Sequence, residues 1–162
     1  MNLVDQKQDE AIHNIIKVYL AQVNSALKIS NIICEHSEED HENILSGDHI
    51  ICGLIYRLMV PMTDEDMAES LEKADNFMNE STSEEELEEL EEDDLEVEEL
   101  EDPIYVEPEK PRKIKMNDCH CDICKKVREC ISKYDTYETY DPMVTRFKNS
   151  IKDTCDKHRI YL

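Results

Sequence analysis

Residues Gln8 to Glu35 form a run without a proline or a glycine. Within it Ile12, Ile15, Ile16, Tyr19, Leu20, Val23, Ala26 and Leu27 recur at steps of three and four. That spacing is the apolar stripe of an α-helix. Ser30 takes the next place in the stripe and Ile33 resumes it, while Ile29 and Ile32 lie to one side, so wider burial is expected in the last turns. A helix of about seven to eight turns at 3.6 residues per turn exceeds the average of about 11–12 residues. The rest of the fold is therefore expected to arrange itself around one long helix.

The polar stretch HSEEDHENIL that follows reads as a loop. It leads into SGDHIICGLIYRLMVPMT (residues 46–63), which holds both glycines of the chain, Gly47 and Gly53. Ser46 is a suitable N-cap, and Asp48 suits the first turn, where backbone N–H groups point outward. Ile50, Ile51, Leu54, Ile55 and Leu58 make the predicted helix apolar on more than one face, so burial on two sides is expected. Pro61 stops it. Gly53 in mid-helix costs about 1 kcal/mol relative to alanine, which a close helix approach or a neighbouring chain would offset. Thr63 with Asp66 resembles a capping box and starts a helix to about Asn79, with Met67, Leu71, Ala74 and Met78 inward.

Charge divides the remainder. The formal net charge is −22. Residues 80–109 hold 17 acidic and no basic residues, whereas residues 110–162 hold 13 basic and 8 acidic ones. The acidic run is expected to be a disordered linker by composition. Leu87, Leu90, Val97 and Leu100 fall at near-helical steps, so residues 80–102 can also be read as a docking strip for basic proteins. Pro103, Pro108 and Pro111 then impose an extended connector. The resulting division is a helical domain over 1–79, an acidic and proline-rich linker over 80–115, and a small tail module over 116–162.

Five of the seven cysteines crowd the tail. Cys119-x-Cys121-x-x-Cys124 is followed some thirty residues later by Cys155-x-x-His158. A Cys-x-x-Cys pair lets two thiolates leave one turn for the same ion, and a later Cys-x-x-His pair on a helix can complete a tetrahedral S₃N set. The preferred ligands for a structural zinc ion are Cys121, Cys124, Cys155 and His158, with Cys119 the rival for a thiolate position. His120 is disfavoured because adjacent ligands are hard to aim at one ion. Cys130 reads as core, as do Cys34 and Cys52. Helices are predicted from about Cys121 to Lys133 and from Asp141-Pro142 to about His158, giving a helical hairpin pinned by metal.

The order of long helix, loop with Glu42-Asn43-Ile44-Leu45 as a short strand, Ser46-capped helix and added helix after Val60-Pro61 resembles the histone fold over residues 8–79. The resemblance implies dimerisation through that region. DNA wrapping is not implied, because the head lacks the arginines with which histones meet DNA. GDHIICGLIYRLMVPM (47–62) followed by the Cys-x-Cys-x-x-Cys tail also resembles uncharacterised proteins of large nucleocytoplasmic DNA viruses, which implies a viral origin and, with it, a host nucleus, cytoplasm or virion location.

Two glycines exclude a phosphate-cradling loop, and there is no nucleophile elbow or metalloprotease helix motif. No apolar run reaches the roughly 18 residues that span a bilayer. The first residues lack the order of a secretory signal, so an intracellular, soluble chain is expected. The chain is accordingly read as all-α and non-enzymatic: a dimerising histone-like head, an acidic strip for basic partners and a structural zinc tail. The alternative is a nucleic-acid-associated factor for DNA packaging or transcription, touching phosphate through its basic tail.

Overall fold

The computed structural model describes residues 2–37, 44–81 and 110–162. Among these the chain is all-α in class. Its helices are α1 (Leu3–Glu35), α2 (Gly47–Met59), α3 (Asp64–Ser81), α4 (Asp122–Lys133) and α5 (Pro142–Lys157). Two two-residue strands, β1 (Arg112–Lys113) and β2 (Ile160–Tyr161), pair in parallel with Arg112 opposite Ile160. No helix of the described residues is long and apolar enough to cross a membrane. Ile44 and Leu45, expected to end a short strand, have no regular structure. Glu42, Asn43 and the acidic strip from residue 82 onward lie outside the described residues.

α1 begins at Leu3, earlier than the predicted start at Gln8, because residues 3–7 contain no helix breaker and Asp5 favours the first turn. At 1.5 Å per residue it is about 50 Å long, against about 20 Å for α2. α3 runs antiparallel to α1, as the ion pairs show: Lys17 meets Asp75 at 2.6 Å, and Lys28 meets Glu69 at 3.3 Å. The capped starts match the sequence. The Ser46 hydroxyl accepts from the His49 amide, while the Ser46 amide donates to His49 Nδ1 at 3.1 Å. Thr63 Oγ1 accepts from the Asp66 amide, and Asp141 caps α5 with Pro142 in its first turn.

α2 is covered on both sides, by α1 on one and by α4 and α5 on the other. The head and tail expected as separate units at 1–79 and 116–162 therefore share one core. Ile29 and Ile33 of α1, Ile51, Cys52 and Ile55 of α2, and Val127, Cys130, Tyr134, Ile151 and Cys155 of the tail form a single buried cluster. The Tyr134 hydroxyl, carried into that cluster, donates to the Lys148 carbonyl at 2.6 Å. A polar clasp closes the edge. Asp48, at the start of α2, accepts two hydrogen bonds from the Arg112 guanidinium at 2.7 and 2.8 Å and one from the Lys115 amide at 3.3 Å. Burial opposes ionisation of Asp48, but these donors outweigh it and hold the carboxyl below its ordinary range.

Gly53 sits where α2 meets α1. A methyl group there would lie 2.0 Å from Ser30 Oγ and 2.4 Å from the Ala26 carbonyl oxygen. The Ser30 hydroxyl, itself bonded to the Ala26 carbonyl at 2.9 Å, is fully buried at this contact. Of the two explanations for a mid-helix glycine, close approach within the chain is the one present. Gly53→Ala is expected to lower stability by about 2 kcal/mol, since overpacking against helix backbone outweighs the gain in helix propensity. Nothing lies within 4 Å of a methyl added at Gly47, so Gly47→Ala is expected to stay within about 0.5 kcal/mol of the parent. Urea unfolding of the two variants measures the contrast.

Candidate metal centre

α1 ends at Glu35, and the next residue, His36, is its C-cap. Two side-chain donors hold this end. The Ser37 hydroxyl donates to the Ile33 carbonyl at 2.8 Å, and Asn117 Nδ2 donates to the same carbonyl at 3.1 Å. Helix C-termini leave carbonyls without intrahelical partners, so these donors satisfy one that would otherwise be orphaned. Asn117 also brings in the tail: its Nδ2 lies 3.5 Å from Cys124 Sγ, and its Oδ1 accepts from the Cys119 amide at 3.3 Å. Arg128, nearly two turns into α4, donates to the Asn117 carbonyl at 2.8 Å and to the Cys119 carbonyl at 2.7 Å. The cysteine loop is thereby laid against the end of α1.

The result is a cluster of His36, Cys119, Cys121 and Cys124, whose ligand atoms all lie within 4.8 Å of one another. His36 Nδ1 is 3.5 Å from Cys119 Sγ, 3.3 Å from Cys121 Sγ and 3.5 Å from Cys124 Sγ. One ring nitrogen carries either one proton or one lone pair, so it can make a directed hydrogen bond with only one of three thiols. Three near-equal distances suit a shared ion better. Three thiolates and an imidazole are a donor set that could bind a metal ion.

The thiols are not equivalent. Cys121 is the N-cap of α4, and its sulfur accepts from the Cys124 amide. That backbone N–H, more than any other group, brings the Cys121 thiol down to about 6, with neighbouring thiols and His36 adding to it. Cys124 is fully buried, and burial pushes its thiol up to about 11. In the core, burial likewise lifts Cys52 to about 12.

The cluster and the sequence-based ligand set share only part of their members. Cys121 and Cys124 fall in the cluster, and Cys119, the rival, joins them. Cys155 and His158 do not. Cys155 lies four residues after Ile151, on the same face of α5, and that face is turned into the core. His158 follows the last turn of α5 as its C-cap, and Arg159 (φ 53°) then turns the chain away into β2. The Cys-x-x-His spacing is thus the spacing of a core residue and a helix end. His120 stays outside the cluster, as expected, and Cys34, Cys52 and Cys130 are buried core residues. His36 was missed because 83 positions separate it from Cys119. The usable signal was arithmetic: three closely spaced thiolates leave one ligand to find, and a histidine terminating the long helix is a candidate.

The chain matches no protein-family model, no curated protein and no solved structure. In chelator-treated protein, Cys121 is expected to be alkylated fastest by iodoacetamide. Because its folded-state value is depressed, the thiolate fraction should rise through about pH 6 and be flat by neutral pH. Cys52 and Cys124 should react slowly throughout that range. Site-resolved mass spectrometry of the alkylated chain reads this directly, and metal added beforehand should protect Cys121.

Proposed function

We propose that the chain is a non-enzymatic interaction protein whose fold is closed by one structural zinc ion, held by His36, Cys119, Cys121 and Cys124. The carrying observation is the set of distances from His36 Nδ1 to three sulfurs, 3.3 to 3.5 Å. A tetrahedral ion with bonds of about 2.0 Å to nitrogen and about 2.3 Å to sulfur places those atoms about 3.5 Å apart. Three thiolates favour zinc over magnesium or calcium, which take oxygen donors. An S₃N set fills all four positions and leaves none for a substrate water, which supports a structural role over a catalytic one. Three thiolates exceed the charge of a divalent ion by one, and the Arg128 guanidinium on the Cys119 carbonyl offsets part of that excess.

The ion would tie the end of α1 to the tail across more than eighty residues, with the acidic run lying between. Closing so long a loop restricts the unfolded chain most. In this reading residues 80–102 are presented from a folded base at both ends, as an acidic strip for Lys/Arg-rich proteins. The alternative, phosphate contact through the tail, is less well supported by the geometry. Lys126 and Lys133 pair with Glu129, Lys152 with Asp156, and Arg112 with Asp48. Arg128 is spent on carbonyls, and Lys148 lies over the Tyr134 ring while donating to the Tyr137 carbonyl. Much of the basic surface that the composition suggests is thereby engaged within the chain.

Native mass spectrometry of the full chain is expected to find one zinc ion per chain. His36→Ala and Cys121→Ser should lose it, while Cys155→Ser and His158→Ala should keep it. Zinc retained in His36→Ala but lost in Cys155→Ser would overturn the ligand assignment, and absence of metal from all of them would overturn the zinc reading. Removing the ion should also expose the amides of β1 and of the cysteine loop to hydrogen exchange. Binding of a lysine-rich polypeptide should vanish when residues 80–102 carry Gln and Asn in place of Glu and Asp.

A further inference from the structure

The face of α1 that packs against α2 does not end where α2 ends. In the second half of α1, Ala26, Ile29, Ser30 and Ile33 form that face and are buried. α2 is far shorter than α1, and its last turn lies near Gln22, whose side chain donates to the Arg57 carbonyl. The same face continues towards the N-terminus through Tyr19, Val18, Ile15, Ile12, Ala11 and Val4, at helical steps. Tyr19 is partly buried, and from Val18 towards the N-terminus nothing among the described residues covers the face. Ile12, Ile15 and Val18 are 48, 49 and 53% exposed, and Val4 is 65% exposed. Along the neighbouring edge, Ile16, Val23 and Leu27 are also exposed, bordering a groove that Leu20 and Phe77 line. Exposed large apolar side chains gathered on one half of a helix make the contiguous kind of patch that marks an interaction site, unlike scattered single residues.

We propose that this face is a homodimer interface, in which residues 3–23 of α1 pack against the same residues of a second copy. Charge selects that occupant. Residues 3–18 hold three acidic side chains, Asp5, Asp9 and Glu10, against Lys7 and Lys17, a net charge of −1 in a chain of −22. Two copies can therefore meet here with little local repulsion, which the acidic face of α3 would not allow. A basic partner would find far more charge on α3, whose first turn alone holds Asp64, Glu65 and Asp66. The pairing is antiparallel. α2 and the tail occupy the same face in the second half of α1, so a parallel pair would drive the two bodies together. Antiparallel helices set them at opposite ends. An isologous contact of this kind closes on itself and forms no filament. It needs no metal ion, so it stands apart from the zinc reading.

Sedimentation velocity on the full chain, with zinc content measured on the same sample, tests the proposal. The expected result is a monomer–dimer equilibrium with the dimer dominant at about 50 µM, taking a standard-size contact of modest affinity. Ile12→Glu/Ile15→Glu should weaken association at least tenfold with unchanged helical circular dichroism, since both side chains are half exposed in the monomer. Ile15→Asn alone, a milder change, should weaken it several-fold and guards against misfolding of the double variant. A monomer at 100 µM would overturn the proposal, as would a dimer whose affinity neither variant changes. A zinc-free dimer that responds to the variants would sink the metal reading and leave this one standing.

Discussion

The contact of Gly53 with Ala26 and Ser30 sets how closely α2 can lie on α1, and the rest of the molecule is built outward from that approach. With no side chain at Gly53 the two backbones come within a distance that a methyl group would forbid. α2 then fills the angle between α1 and the tail, burying Cys52 and Ile55 completely. A helix covered on both sides commits its two neighbours to each other's company. The tail helices α4 and α5 have too few apolar side chains to make a core alone, and they complete one by leaning on α2.

Polar contacts decide the register of that docking. Asp48 holds Arg112 and Lys115 at one end of α2. Close to the same end, Asn117 and Arg128 hold the cysteine loop against the last turn of α1. Asn117 links the two structures directly, because one amide group reaches both the Ile33 carbonyl and the Cys124 sulfur. The four donor atoms of the candidate metal centre meet where two independently satisfied pieces of backbone abut. Such a site is preorganised by hydrogen bonds around it, the arrangement by which outer partners aim metal ligands.

The same packing sorts the surface into three kinds. Several basic side chains of the tail are engaged with neighbouring acids, carbonyls and rings. α3 presents an acidic face to solvent. The first half of α1 presents a face of exposed aliphatic side chains on a segment of small net charge. A chain that is very acidic overall thus keeps, among the described residues, a nearly neutral apolar strip on its longest helix.

Local signals carried the helices. The stripe from Ile12 to Ile33, the Ser46, Thr63 and Asp141 caps, and the stop at Pro61 depend on neighbours within a turn or two, so they are legible in the chain itself. The clustering of Cys119, Cys121 and Cys124 was legible for the same reason: the three thiols leave one short segment. The approach of His36 to them was not. Cys155 and His158 have a plausible spacing, but which face of α5 turns inward depends on α2 and α4, and that face carries Cys155 into the core. His36 reaches the site because α1 is long enough to end beside the tail, a distance set by packing. That residues of head and tail share one buried cluster was hidden for the same reason. Local periodicity determines that a helix exists and which face is apolar, whereas the partner of that face is chosen by contacts between residues far apart in sequence, and only the tertiary structure holds those.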